Sequence, residues 1–370
     1  MPATPPAPVP EHNTVRRVAV IALGGTVAMT SSVGGGVQPS LSADQLLAAV
    51  PGLASTGIAV ATVDLRRKPG ASLSFADLAA LCAAIRAEIG AGADGVVVVQ
   101  GTDTIEETVY LLDLAYAGTE PVVVTGAMRY PTMAGADGPA NILAAIQVAA
   151  SAQASGHGVL VVFADQIHAA RQVRKTHATS IAAFTSPNTG PVGHLVEGRP
   201  VLLTHPDRLV IGDFLDRDPP AVAVYTITLA DDGALLAGAA DRIDGLIVAA
   251  FGAGHVPESL VPTLTDLAAA IPVILASRTG AGPVLTSTYG FPGSEQDLRH
   301  RGLIPAGFLD PLKARLLLHT LLAAGAGRRT IERAFVAAGG HGNVHSWPFA
   351  ITLPEIDDTG DLDRSCAATN

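Results

Sequence analysis

Short apolar runs recur along the chain as RVAVIAL (17–23), GVVVVQ (95–100), PVVVTGA (121–127) and GVLVVFA (158–164). None alternates with polar residues, and an unbroken run of that length predicts a strand covered on both faces. Between the runs, FADLAALCAAIRAEI (75–89), EETVYLLDLAYA (106–117) and GPANILAAIQVAAS (138–151) carry helical spacing. The alternation predicts an α/β fold: a larger N-terminal domain with a mostly parallel sheet and helices on both faces.

From Val201 to Ala221 the pattern breaks into VLLTHPDRLVIGDFLDRDPPA, which holds three prolines and four aspartates. A second series follows: AVAVYTI (221–227), GLIVAAF (245–251), IPVILAS (271–277) and the helix PLKARLLLHTLLAAG (311–325). It predicts a smaller C-terminal α/β domain. The expected organisation is a disordered lead over 1–15, an N-terminal domain over 16–205, a linker over 206–220, a C-terminal domain over 221–340 and a polar tail over 341–370 with a disordered end.

Composition narrows the function classes. The 370 residues are 48% hydrophobic and 15% charged, and mean hydropathy is +0.38. No uninterrupted apolar stretch approaches the ~20 residues that cross a bilayer, so the hydropathy is read as alanine-rich helices in water and no membrane partner is expected. The opening MPATPPAPVPEHNTVRR has no apolar run, which predicts a cytoplasmic protein without a secretory signal. A net charge of -10 and a pI near 5.5 repel phosphate backbones, excluding nucleic acid as a default partner and favouring a small-molecule substrate. Two cysteines, Cys82 and Cys366, offer neither a disulfide framework nor a metal cluster.

Ligands of parallel α/β sheets bind beyond the carboxyl ends of the strands. The residues found there are Gly24-Gly25-Thr26, then Gly101-Thr102-Asp103-Thr104, then ARQVRKTHATS with Lys175. Each also has an ordinary reading. Thr26 suits a turn or cap, DTIE and TIEE read as capping boxes for the next helix, and Lys175 beside Arg171 and Arg174 reads as a solvated basic turn. No GxGxxG follows the first strand, no Walker GKS or GKT occurs and no serine sits in a GxSxG elbow, so no nucleotide cofactor is expected. His255, His341 and His345 lack partners at metal-ligand spacing, and no metal is expected.

Taken together, LGGTVA, QGTDTIEET, VVVTGAMR, GADGPANI, VRKT and LKARLLL, in that order over about residues 17 to 340, resemble the bacterial-type L-asparaginases of the threonine-dependent class, glutaminase-asparaginases included. The resemblance implies hydrolysis of L-asparagine to L-aspartate and ammonia through a threonine acyl-enzyme, with glutaminase side activity. Thr26 matches the threonine of the family's TGGTIA motif and would be the nucleophile, while Thr102 and Asp103 match its HGTDT motif and Lys175 its lysine. A threonine hydroxyl needs a group to take its proton, and a lysine can serve. Asp103 would meet the substrate's α-ammonium group. KPGASLS (68–74) would grip the carboxylate through Ser72 and Ala71, although Ser72 also reads as a helix cap.

The sequence departs from the family pattern in three places. Leu23 replaces the threonine before Gly-Gly, and Gln100 the histidine before GTDT. The lid stretch MTSSVGGGVQPS has no tyrosine: Val37 falls near its place, Thr30 and Ser31 are candidate substitutes, and the glycines at 34–36 suit a hinge. The resemblance further implies a homotetramer with sites at subunit contacts, where His255 and Glu295 are the candidates from a neighbouring subunit. Two other readings share the fold: the amidase subunit of a tRNA-dependent amidotransferase, disfavoured by the acidic charge, and a non-catalytic sensor of aspartate or asparagine.

Overall fold

A computed structural model describes residues 15–31, 37–39, 41–212, 214, 215, 217–342 and 344–349. Residues 1–14 of the predicted lead and the end of the tail lie outside the described residues, as does the lid's glycine hinge at 34–36.

The chain opens with β1 (Arg17–Ala22), followed by a hairpin of β2 (Met29–Ser31) and β3 (Val37–Pro39). Next come α1 (Ala43–Ala48), β4 (Ala59–Asp64), α2 (Phe75–Gly90), β5 (Gly95–Val99), α3 (Ile105–Ala115), β6 (Val122–Thr125), α4 (Gly138–Ala149) and β7 (Val159–Phe163). Strands β5, β6 and β7 are buried along their whole length, as their unbroken valine runs require. An antiparallel meander then extends the sheet through β8 (Gln166–Ala169), β11 (Gly193–Val196) and β12 (Arg199–Leu202), with the short ribbon β9 (Arg174–Lys175) and β10 (Phe184–Thr185) branching off between them.

The eight strands lie in the order β12-β11-β8-β7-β6-β5-β1-β4. Strands β4, β1, β5, β6 and β7 run parallel. The chain adds β4 to one side of β1 and β5 to the other, so the connections diverge at β1. That is where a parallel sheet opens a crevice beyond its strand ends.

The C-terminal sheet is wholly parallel, in the order β13 (Val222–Thr226), β14 (Gly245–Ala250), β15 (Val273–Ser277) and β16 (Ile304–Pro305). Its helices are α5 (Val261–Ala270), α6 (Glu295–His300), α7 (Pro311–Ala323) and α8 (Arg328–Ala338). Helix α7 starts where Pro311 follows the N-cap Asp310, whose carboxylate accepts from the Leu312 and Lys313 N–H groups.

Three apolar clusters show the layering. One lies between the large sheet and α4, another between the small sheet and α5. The third is shared: it joins Ile21, Val98 and Leu111 of the N-terminal domain to Ile247, Leu317 and Phe335 of the C-terminal one. Helices α3 and α7 therefore meet in the middle of the molecule, a contact that later holds the site. Between the domains, Arg208 is buried and donates to the Tyr116 and Gly118 carbonyls, while the Ile211 N–H donates to Leu114 O. Within the segment read as a polar tail, Trp347 is buried and its Nε1–H donates to Val210 O at 2.9 Å. Burial of the indole against the shared core outweighs the polarity of its neighbours.

Candidate active site

Strands β1 and β5 pair with Ala22 opposite Val99, and the Leu23 N–H continues the ladder to Val99 O at 2.9 Å. The loops that follow are forced together. Gly24 and Gly25 have φ of +100° and +92°, a region L side chains rarely adopt. A Cβ on Gly25 would stand 2.2 Å from the Gly101 nitrogen, and one on Gly101 would stand 2.6 Å from the Gly70 nitrogen. Three backbones thus touch, and only glycine allows it. The touching loops carry Thr26, Thr102-Asp103 and Ala71-Ser72.

Thr26 begins a 3-10 turn (Thr26–Ala28) and is half-buried. Its hydroxyl makes no hydrogen bond to a described residue. Of the lid, the backbone pairing of β2 and β3 is described, with Ser31 opposite Val37. The Ala71-Ser72 loop is a 3-10 turn (Gly70–Ser72), and the Thr104 hydroxyl donates to Gly70 O at 3.0 Å. Both Ala71 and Ser72 are exposed. The cap of α2 is Ser74, with Asp77 completing its capping box, so Ser72 does not cap the helix. The Ser72 N–H donates to Pro69 O at 2.9 Å. Asp77 closes the loop from behind through ion pairs to Lys68 at 2.8 Å and Arg66 at 2.7 Å. Burial pushes its carboxyl up, but Lys68, Arg66 and Ser74 together hold it well below the usual carboxylate range.

Lys175 reaches this group from β9. Its ammonium donates to Thr102 Oγ1 and to Asp103 Oδ1, each at 3.0 Å. The lysine side chain is 15% exposed whereas that of Asp103 is 60% exposed. A solvated turn is therefore not what Lys175 forms; it lies between two site groups, and Asp103 keeps an open side toward solvent. The capping reading of DTIE and TIEE gives way as well. Helix α3 has Thr104 at its N-cap without a side-chain cap bond, and Glu106 turns inward instead. Its Oε2 accepts from the Lys175 backbone N–H at 3.2 Å, and burial pushes its carboxyl up against the pull of Lys313. The sequence reading missed this carboxylate. The signal was present in the first of two adjacent acids on a helix whose next apolar positions, Val109 and Tyr110, are buried.

Gln100, in place of the family's histidine, is fully buried, and its Nε2 donates to Gly101 O at 3.3 Å. His255 and Glu295 stand together in the C-terminal domain, with Nε2 and Oε2 3.4 Å apart. Glu295 is completely buried and accepts from the Thr288 and Tyr289 N–H groups at 2.8 Å. Burial pushes that carboxyl up, but these donors, its own backbone N–H and the nearby His255 together outweigh it, and the net shift is downward. Tyr289 and Phe291 flank His255 edge-on and are 42% and 47% exposed. Among the described residues no cluster of three or more His, Cys, Asp or Glu is placed to hold a metal, and no helix is long and apolar enough to cross a membrane.

Two strands of an α/β fold end in threonine-bearing loops, and a lysine bridges the second threonine and its neighbouring aspartate; comparison with known proteins makes the chain a hydrolase acting on amides and gives its family. Residues 17–208 match the family described as asparaginase, N-terminal, and residues 221–335 match the glutaminase/asparaginase C-terminal domain. The chain belongs to the asparaginase family. It is 38% identical to the probable L-asparaginase of Deinococcus radiodurans over 86% of this chain and 97% of that protein. It is 32% identical to the L-asparaginase of Bacillus licheniformis over 84% and 96%, and 33% identical to the glutaminase-asparaginase of Pseudomonas aeruginosa over 65% and 67%. The crystal structure of a probable cytoplasmic L-asparaginase from Campylobacter jejuni superimposes with a TM-score of 0.77 at 29% identity, covering 87% of this chain and 99% of that one.

Proposed function

We propose that the protein hydrolyses L-asparagine to L-aspartate and ammonia, with Thr26 as nucleophile and Thr102, Asp103 and Lys175 as the proton-handling and orienting set. The observation that carries the reading is the Lys175 ammonium shared between Thr102 and Asp103, at 3.0 Å each, beside the loop that bears Thr26. The Thr26 oxygen attacks the side-chain carboxamide carbon, its proton ends on the amide nitrogen, and the C–N bond breaks to release ammonia and leave a β-aspartyl ester. Water then attacks the ester carbon, the C–O bond to Thr26 breaks, and Thr26 regains a proton. The Thr102–Lys175 pair moves the protons. N–H groups at the start of α3, which have no intrahelical acceptor, stabilise the oxyanion.

Substrate orientation follows from charge. The exposed side of Asp103 meets the α-ammonium group, and the Ser72 hydroxyl with the Ala71 backbone meets the α-carboxylate. Glutamine differs from asparagine by one methylene, worth ~1–3 kcal/mol of selectivity in a pocket, so glutaminase side activity accompanies the main one. The protein works as a cytoplasmic homotetramer in which His255 and the exposed Tyr289 and Phe291 face a neighbouring subunit's site; Glu295, wholly buried within its own domain, does not reach it and instead backs His255. Sedimentation at assay concentration checks this: four chains are expected, and a fully active monomer overturns it.

The deciding experiment measures ammonia release from L-asparagine and L-glutamine in parallel, with Thr26→Ala as control. Release from asparagine that vanishes in the variant is expected. Full activity in Thr26→Ala sinks the nucleophile assignment, and aspartate binding without ammonia release by the wild type would mark a sensor.

A further inference from the structure

Lys175 sits on a ribbon of two residues per strand, β9 against β10, which by itself fixes little. Its backbone is instead gripped from both domains. From the N-terminal domain, Glu106 Oε2 accepts the Lys175 N–H at 3.2 Å. From the C-terminal domain, the wholly buried Lys313 on α7 donates to the Val173 carbonyl at 2.5 Å and to Asp310 Oδ2 at 3.0 Å. The two grips touch, with Lys313 Nζ 4.0 Å from Glu106 Oε2. Arg174 Nε stands at the same distance from that oxygen, and its Nη1 donates across the domain boundary to Gly280 O at 2.6 Å.

Holding α3 against α7 does not require charge. A buried ion pair is often no more stabilising than a well-packed apolar pair, so stability alone does not account for four charged groups in this place. What an apolar pair lacks is direction. Here the two outward hydrogen bonds end on the backbone of residue 173 and of residue 175, on either side of Arg174. We propose that Glu106 and Lys313 are positioning residues that fix the backbone of Lys175, so that its ammonium stays within reach of both Thr102 and Asp103. The inference rests on the reading of Lys175 as a catalytic group.

Four proteins test it, assayed for kcat and KM on L-asparagine per folded protein, with thermal unfolding in parallel: Glu106→Ala, Glu106→Gln, the double variant Lys313→Met with Asp310→Asn, and Lys175→Met. A displacement of about 1 Å at a reacting group lowers turnover by up to about a hundredfold. Glu106→Ala should lose about ten- to a hundredfold in kcat with KM within about threefold, because the substrate contacts are untouched. Glu106→Gln keeps an oxygen where the Lys175 N–H points and should stay within about threefold of the wild type. The double variant removes the grip on Val173 without stranding a buried charge on α7, since asparagine serves as an N-cap as well as aspartate does, and it should also lose kcat. A purely structural role would lower the melting temperature of these variants and leave kcat per folded protein unchanged, which overturns the proposal. Equal losses in Glu106→Ala and Glu106→Gln overturn it as well. Should Glu106→Ala fail to fold, the double variant decides on the same criterion. Activity in Lys175→Met instead defeats the underlying site reading, an outcome distinct from either.

Discussion

In both sheets, parallel strands with buried faces run into a glycine-bearing loop: Leu23-Gly24-Gly25-Thr26 after β1, and Phe251-Gly252-Ala253-Gly254-His255 after β14. The space above those loops is filled in different ways. In the large sheet, Gly25, Gly101 and Gly70 press backbone on backbone, so the side chains that follow them converge. In the small sheet, the Cβ direction of Gly254 is occupied by the Val284 and Leu275 side chains, and that of Gly252 is open. The loop there closes on a Phe251–His255 bridge and presents aromatic rings. Backbone contact gathers hydroxyls, a carboxylate and an ammonium into the proposed reacting centre, whereas side-chain filling leaves aromatic rings exposed at the proposed recognition surface.

The sharpest way to break that contrast is to truncate one residue from each loop system. Thr102→Ala should lower kcat by on the order of a thousandfold or more, because it removes an oxygen from the set that handles the proton. Tyr289→Ala should act mainly on KM, by less than about tenfold, because the ring touches no reacting atom. Steady-state kinetics on both proteins decide the matter. If Tyr289→Ala abolishes turnover as thoroughly as Thr102→Ala, the two loop systems are not divided between chemistry and recognition.

The glycines offer a second comparison on stability. Gly25→Ala combines a left-handed φ with an overlap against rigid backbone and should cost about 3 kcal/mol or more, together with most of the activity. Gly252→Ala also carries a left-handed φ, of +46°, but meets nothing within 4 Å, so it should cost about 1 kcal/mol and leave turnover intact. Denaturant unfolding of the two variants measures the difference. Equal losses would mean that the conformation, and not the close approach, is what selects glycine.

How much of this was legible in the sequence depended on the kind of signal. Unbroken Val and Ile runs marked β1, β5, β6, β7 and the three main strands of the C-terminal sheet. The meander was not marked, because its two hairpins turn on Ala164-Asp165 and Glu197-Gly198. Three of these four residues are non-glycine with positive φ, in place of the Asn-Gly or Asp-Gly that normally announces a two-residue turn. Helix α8 was not predicted: Ile331, Ala334, Phe335 and Ala338 stand at helical spacing, but the arginines between them mask the apolar face. Within the site, Thr26, Thr102, Asp103 and Lys175 each had an ordinary local reading, and their roles could be proposed only because the ordered motifs that carry them resemble those of a known family. The roles of Glu106 and Lys313 could not. Each is defined by the backbone atom it meets 69 or 140 residues away, and nothing nearby in sequence encodes that partner.

Acid provides the finest test, since each domain buries a histidine. His168 on β8 is fully enclosed, with Nδ1 2.9 Å from Ser186 Oγ, and burial together with the nearby His194 pushes it down to about 4 from an ordinary 6.5. His319 on α7 stacks on Phe75 at 4.0 Å and donates from Nδ1 to Pro220 O, and burial lowers it too. Both are neutral when folded and take up a proton on unfolding in acid, so their contribution to stability is complete above about pH 6.5 and declines as the pH falls below it, for His168 down to its folded value of about 4. For His168 the whole decline is at most about 3 kcal/mol, and nothing is lost at pH 7. In His168→Asn, where the amide keeps a partner for Ser186, the unfolding free energy should fall less steeply between those pH values. The corresponding change in His319→Gln should follow the same sign. If the wild-type slope survives in His168→Asn, another group drives the acid response of the large sheet. If it survives there but flattens in His319→Gln, the C-terminal domain is the weaker partner in acid.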